Sequence, residues 1–152
     1  MKCALPILAS ATILVCSAAH AEPTDRWWSG WGQGTAEYGY TKSSGDAVYI
    51  ACDQGSGFGT SMSFSISGDE PRPGQLVTVT IDGDQIEFAA DHRGRLGTSS
   101  RVDDDIFRSI WTKIRTGNRM SVSFGSRQAI FPLAGSSRIL EEESCDTDFV
   151  KY

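Results

Sequence analysis

Asp46-Ala47-Val48-Tyr49-Ile50-Ala51-Cys52 is the stretch from which the rest of the chain is read. Val48, Ile50 and Cys52 alternate with Ala47, Tyr49 and Ala51, and β-branched and aromatic residues at period two specify a strand. The strand ends on a cysteine. Outside the first 21 residues the other cysteine is Cys145, near the far end of the chain. Paired in an oxidising compartment, Cys52 and Cys145 enclose the other well-patterned strands and the one well-patterned helix. Closing so long a loop is worth ~4–5 kcal/mol in the chain-entropy account. Two cysteines and one histidine beyond residue 21 are too few for a structural zinc site, and no C-x-x-C suggests redox work.

The oxidising compartment is itself read from the start of the chain. Lys2, an apolar run from Ala4 to Val15, and Ser17-Ala18-Ala19-His20-Ala21 form a secretory signal peptide, residues 1–21, with cleavage expected after Ala21. The run is shorter than the roughly 20 apolar residues a membrane span needs, and no later segment approaches that. A periplasmic or secreted protein is expected. Losing Lys2 takes the formal net charge from −5 to −6. An acidic chain is ill suited to phosphate backbones, which are held by Lys and Arg. It suits a basic partner, because opposite fields raise association rates.

Outward from the opening strand, residues 22–45 gather Trp27, Trp28, Trp31, Tyr38 and Tyr40 among Gly30, Gly32, Gly34 and Gly39 without a clean period. They are set apart as an aromatic, glycine-rich segment preceding a β-rich domain over 46–152. Residues 53–60 are a glycine-rich loop. Ser61 to Ser67 alternates Met62, Phe64 and Ile66 with four serines, the pattern of a strand with one wet face. Leu76 to Ile81 is a strand; Asp82-Gly83 is a hairpin signal, and Ile86 and Phe88 lie on the return. Ile106, Phe107, Ile110, Trp111 and Ile114 have helical spacing, so a helix is expected from Asp103 to Gly117, its aspartates at the positive end of the dipole. Met120, Val122 and Phe124 form a strand paired with Ala129 to Leu133, and Ser136 to Glu143 a short last helix. The fold class is mainly β: a small antiparallel sandwich or barrel packed by one amphipathic helix and closed by one disulfide.

Catalysis finds few footholds. His92, in Asp91-His92-Arg93-Gly94, is the one histidine available to a triad, and there is no G-x-S-x-G. Asp82 with Asp84, Asp69 with Glu70, and Asp103-Asp104-Asp105 are the acidic pairs a glycosidase would need. Each has a simpler role in a turn, a solvated loop or a helix start. Asp82-Gly83-Asp84 lacks the ligand spacing of a calcium loop. Gly30 to Gly34 neither follows a strand nor opens a helix, as a dinucleotide loop must. No catalytic residue, metal or cofactor is expected. Two stretches are candidate binding residues. Trp27, Trp28 and Trp31 offer amphipathic rings to a sugar or protein. Ser67, Asp69, Glu70 and Arg72 sit in a connection stiffened by Pro71 and Pro73, which would lose little entropy on docking.

Two runs, 114–124 (Ile-Arg-Thr-Gly-Asn-Arg-Met-Ser-Val-Ser-Phe) and 130–140 (Ile-Phe-Pro-Leu-Ala-Gly-Ser-Ser-Arg-Ile-Leu), resemble the ends of small periplasmic sandwich proteins. These are the invasion-associated locus B family and the VasI-type accessory proteins of type VI secretion. The resemblance covers about 30 residues, with Val48 to Cys52 as a second patch, and brings no catalytic residues. It implies a non-enzymatic envelope protein connected with host interaction. Secreted c-type lysozyme inhibitors are similar in size, leader, acidity and paired cysteines. Ser67-Gly68 begins like their inhibitory loop, but Glu70-Pro71 stands where an aromatic or lysine is expected. The leading expectation is a periplasmic binding module for a protein or peptidoglycan-related partner, with inhibition of a lysozyme-like hydrolase as its concrete form. A structural envelope or secretion-system component and a hydrolase using His92 or an acidic pair are the alternatives.

Overall fold

The computed structural model describes residues 23–151; the expected signal peptide, residues 1–21, lies outside them. Eight strands form two antiparallel sheets. The first holds β1 (Trp27–Gly32), β2 (Thr35–Thr41), β3 (Ala47–Asp53) and β4 (Ser61–Ser65) in chain order. The second holds β5 (Leu76–Ile81), β6 (Asp84–Ala89), β7 (Arg119–Phe124) and β8 (Arg127–Pro132), in the order β6-β5-β7-β8. Helix α1 (Arg101–Thr116) lies in the crossover from β6 to β7, and two short helices, α2 (Ser136–Ile139) and α3 (Asp148–Lys151), follow β8. The mainly β reading with one substantial helix is what the chain adopts. Among the described residues no helix is long and apolar enough to cross a membrane.

Alternation explains the sheets. Val48, Ile50, Cys52, Met62 and Phe64 on the first, and Val77, Val79, Met120, Val122 and Phe131 on the second, are all within 2% of full burial and share one core. Rings bridge the sheets: Phe64 lies 6.2 Å from Phe88, and Tyr40 meets Phe131 edge-on at 6.2 Å. Helix α1 adds Phe107, Ile110, Trp111 and Ile114 to that core, with Trp111 edge-on to Tyr38 at 5.3 Å. At the hairpin, Asp82 and Gly83 both take positive φ, as a type I′ turn demands.

Three boundaries differ from the sequence reading. The segment set apart over 22–45 is, from residue 23 where it is described, no appendage: β2 is in register with β3 along its whole length, so β1 and β2 make half of the first sheet. Their period was hidden because both faces are covered. Trp27, Tyr38 and Tyr40 point into the core, while Trp28 lies on the outer face over Gly39. A Cβ at Gly39 would meet Trp28 at 2.7 Å and the Val48 carbonyl oxygen at 2.7 Å. Helix α1 starts at Arg101, not Asp103, because Ser100 caps it: its hydroxyl accepts from the Asp103 N–H at 3.1 Å. The final helix stops at Ile139 rather than Glu143, where the chain is diverted toward the disulfide.

Cys52 and Cys145 are bonded, with Cα atoms 5.7 Å apart and a sequence separation of 93. The staple ties the end of β3 to the tail that follows α2. Beyond it the tail crosses residues 53–60 and the start of α1.

Candidate functional site

The predicted binding residues fare unequally. Trp27 is core, its indole N–H donating to the Pro132 carbonyl at 3.0 Å. Trp28 is also buried, against Gly39 and 6.2 Å from the Tyr49 ring. Trp31 alone of the three is open, with 69% of its surface exposed. Ser67, Asp69, Glu70 and Arg72 are all exposed. Asp69 pairs with Arg127, and the Ser67 and Arg72 N–H groups donate to Asp46 at 2.9 Å and Gln75 at 2.9 Å. The loop therefore borders a cleft of about 450 Å³ whose charges are largely balanced.

The catalytic candidates are occupied elsewhere. His92 is exposed on a turn organised by Asp91, which accepts from the Arg93 and Arg95 N–H groups. Asp82 accepts from the Asn118 and Arg119 N–H groups, which hold its carboxyl below the ordinary value and fix the start of β7. Asp84 pairs with Lys113. Asp103 accepts from the Ser100 hydroxyl, and buried Asp104 accepts from Thr147 and Arg108. Among the described residues no group of three His, Cys, Asp or Glu side chains could hold a metal ion.

The feature that gathers an open surface is residues 53–60, Asp-Gln-Gly-Ser-Gly-Phe-Gly-Thr. Asp53 organises it. One carboxylate oxygen accepts from the Ser56 hydroxyl at 2.7 Å and from the Gly55 and Gly57 N–H groups at 3.0 and 3.1 Å; the other lies 3.2 Å from the Lys151 ammonium. The Ser56 hydroxyl first, then those amides and Lys151, outweigh desolvation and hold the Asp53 carboxyl far below the usual range. Such a turn needs positive φ at Gly55, Gly57 and Gly59. The β1–β2 turn packs against it, with the Gln54 N–H donating to Gly34 at 2.8 Å. Trp31 is thereby brought to the same end of the molecule.

The tail completes this end. Thr60 donates its hydroxyl to the Asp146 carbonyl at 2.7 Å and its N–H to Asp148 at 3.0 Å, and the Phe149 N–H reaches the Thr98 carbonyl at 2.8 Å. Between loop, tail and helix lies an open cleft of about 640 Å³. Tyr38 and Trp111 line it with Cys145, and its charged lining is Asp53, Glu141, Glu143 and Asp146 against Lys151. Tyr38 donates to Glu141 at 3.4 Å; burial, reinforced by the Glu141 charge, raises its phenol above the ordinary value. Phe58 and Phe149, 66% and 44% exposed, flank a neighbouring hollow of about 510 Å³. Residues 53–60 read in sequence as a plain glycine-rich loop. The one available cue was Phe58, a large apolar residue with no strand or helix to bury it.

A small two-sheet β-protein, stapled by one disulfide and opening at one end into an acidic, aromatic-flanked cleft, is the class that fold and site define. The chain belongs to the YfjT family, whose model matches residues 25–140. No curated protein and no solved structure matches it. The matched span takes in both sheets, α1 and α2. Glu141, Glu143, Cys145, Asp146 and Lys151, which close the cleft, follow it in the chain.

Proposed function

We propose that the protein is a non-enzymatic binding module of the periplasm or exterior that docks a basic protein at the disulfide end. The observation that carries this is the acidic cleft, four carboxylates against one ammonium, with exposed Phe58 and Phe149 on the adjoining hollow that shares Asp53 and Gly57 with it, and exposed Trp31 two strands from Cys52 in the same register. Unpaired negative charge steers a cationic partner, and rigid aromatic side chains supply anchor area at small entropic cost. Inhibition of a lysozyme-like hydrolase, a basic protein with a cationic surface around its cleft, is the concrete form.

The signal peptide, with cleavage after Ala21, belongs to this proposal, as does the periplasmic setting implied by the resemblance to the locus B and VasI-type families. The Ser67–Arg72 loop supports it less, because Asp69 is already matched by Arg127. A tryptophan docking patch is reduced to Trp31, and a hydrolase reading is left with an exposed His92 and acidic pairs engaged in turns and caps.

Titration calorimetry against a basic muramidase tests the proposal. Binding should weaken steeply between 50 and 300 mM salt, and Glu141→Lys with Glu143→Lys should lower affinity by about two orders of magnitude while leaving the melting temperature in place. Binding that ignores both salt and the double variant would remove the acidic cleft from consideration.

A further inference from the structure

The outer face of the first sheet carries a second pocket, and its chemistry differs from that of the acidic cleft. The bridge between Leu96 and Met62 turns Leu96 inward, with backbone bonds of 2.8 and 3.0 Å, and so directs the neighbouring Arg95 outward. Arg95 then lines a hollow of about 370 Å³ with Glu37, Tyr49, Ala51, Phe58 and Gln33. The Tyr49 hydroxyl donates to Glu37 Oε1 at 2.6 Å, which sets the orientation of both side chains and leaves Glu37 Oε2 to accept. Gly32 and Gly59 keep the walls low.

Two observations point to a ligand. Arg95 is half-buried, and no carboxylate among the described residues lies within ion-pair distance of its guanidinium. In addition, the Arg95 Nε is shielded from solvent and has no hydrogen-bond partner among the described residues. A shielded unsatisfied donor costs about 1–3 kcal/mol, so native structures rarely tolerate it without a reason. The pocket offers a cation, an acceptor and an open aromatic ring within one small volume. Glu37 repels any anion, a phosphate dianion about twice as strongly as a carboxylate monoanion at the same distance. A carboxylate monoanion suits Arg95, and a body bearing hydroxyls suits Glu37 and Gln33.

We propose that this pocket binds an acidic sugar. Its carboxylate pairs with Arg95, its ring lies against Phe58, and a hydroxyl or amide donates to Glu37 Oε2. A volume of about 370 Å³ is at the small end of ligand pockets and suits one or two sugar rings. Its lining shares no residue with that of the acidic cleft, and Arg95, which belongs to this pocket alone of the two, lets loss of one be judged apart from the other.

A two-dimensional amide NMR titration of the purified protein tests this with glucuronate and N-acetylmuramate, using N-acetylglucosamine, inorganic phosphate and a short peptide carboxylate as comparisons. Both acidic sugars should shift the Gly32, Ala51 and Gly59 amides, saturating in the millimolar range. N-acetylglucosamine should bind at least about tenfold more weakly, as should either acidic sugar to Arg95→Gln. Phe58→Ala, at a site 66% exposed, should keep the fold and lose affinity several-fold. Equal response to the neutral sugar, saturation of the same residues by phosphate, tighter binding of the peptide, or unchanged affinity in Phe58→Ala would each overturn the proposal.

Discussion

The two ends of β3 use one device for different purposes. At the near end Asp46 accepts from the Ser67 N–H at 2.9 Å, the Lys42 ammonium at 3.2 Å and the Ser44 hydroxyl at 3.3 Å. Burial pushes its carboxyl up, but those donors outweigh it and the net shift is downward. At the far end Asp53 gathers Ser56, Gly55, Gly57 and Lys151. Each aspartate collects the donors of the loop beside it. The difference lies in what the loop presents. Around Asp46 the neighbouring charges are spent on one another, Lys42 with Asp46 and Asp69 with Arg127. Around Asp53 one pair is spent as well, Asp53 with Lys151, but a covalent staple and a tail fix the backbone, and Glu141, Glu143 and Asp146 line the cleft with no ion pair among the described residues. Rigidity with charge left over is what a docking surface needs, and the far end has both.

Removing the staple should blur this contrast most. Replacing both cysteines by alanine should cost ~4–5 kcal/mol by the loop-closure account, measured by urea unfolding. Hydrogen exchange should rise first in residues 53–60 and 141–151, while the Asp46 end keeps its protection. Equal loosening at both ends would mean that the tail, rather than the bond, holds the far end. The tryptophans come next. Trp27→Ala, which empties a core position and frees the Pro132 carbonyl, should cost ~3–5 kcal/mol. Trp31→Ala should change stability by less than ~0.5 kcal/mol and reduce partner affinity about tenfold. If Trp31→Ala destabilises like Trp27→Ala, the far end is packing and not surface.

Acid separates the two aspartates by a smaller amount. Both carboxyls are depressed in the folded state, and an unfolded Asp titrates near ~3.9. Their stabilisation is therefore complete above about pH 5 and is lost as pH falls through the folded values. Asp53→Asn should lower stability at pH 7 more than Asp46→Asn, because the Asp53 carboxyl is the more strongly depressed. For each variant the gap from the parent should shrink by pH 3. A gap that widens on acidification would reverse the assignment of the carboxylate as the stabilising form.

How much of this was legible follows from which interactions are local. Alternation in 48–52, 61–66, 77–81 and 120–124, and the 3–4 spacing in α1, are written along the chain, and those elements appear where expected. Cys52 and Cys145 could be paired because no other choice remained once the expected leader was set aside. Strands β1 and β2 were hidden by buried rings on both faces, Trp27, Tyr38 and Tyr40 on the inner and Trp28 on the outer, which erases the period that marks a half-buried strand. The helix start was misplaced because an aspartate triplet signals the dipole, whereas the cap, Ser100, is two residues before Val102. The acidic cleft could not be read at all. Its walls come from β2, β3, α1 and the tail, and a carboxylate in a sequence carries no mark of whether a cation will meet it.

The smallest expected effect is also the cleanest separation of a matched charge from an unmatched one. Asp69 and Arg127 are both about half exposed, and an exposed pair of this kind contributes ~0–1 kcal/mol. Asp69→Asn should therefore change the unfolding free energy by well under 1 kcal/mol, and it should leave binding of a basic partner unchanged. Glu143→Gln removes the same charge from the far end, where Lys151 alone lines the cleft with opposite sign. It too should be nearly silent in unfolding, yet it should lower the association rate several-fold at low salt, with the loss disappearing as ionic strength rises. Both variants lower the net negative charge by one, so a general effect of protein charge would slow association equally in each. A difference confined to Glu143 would place the attraction in the cleft rather than in the acidity of the chain as a whole.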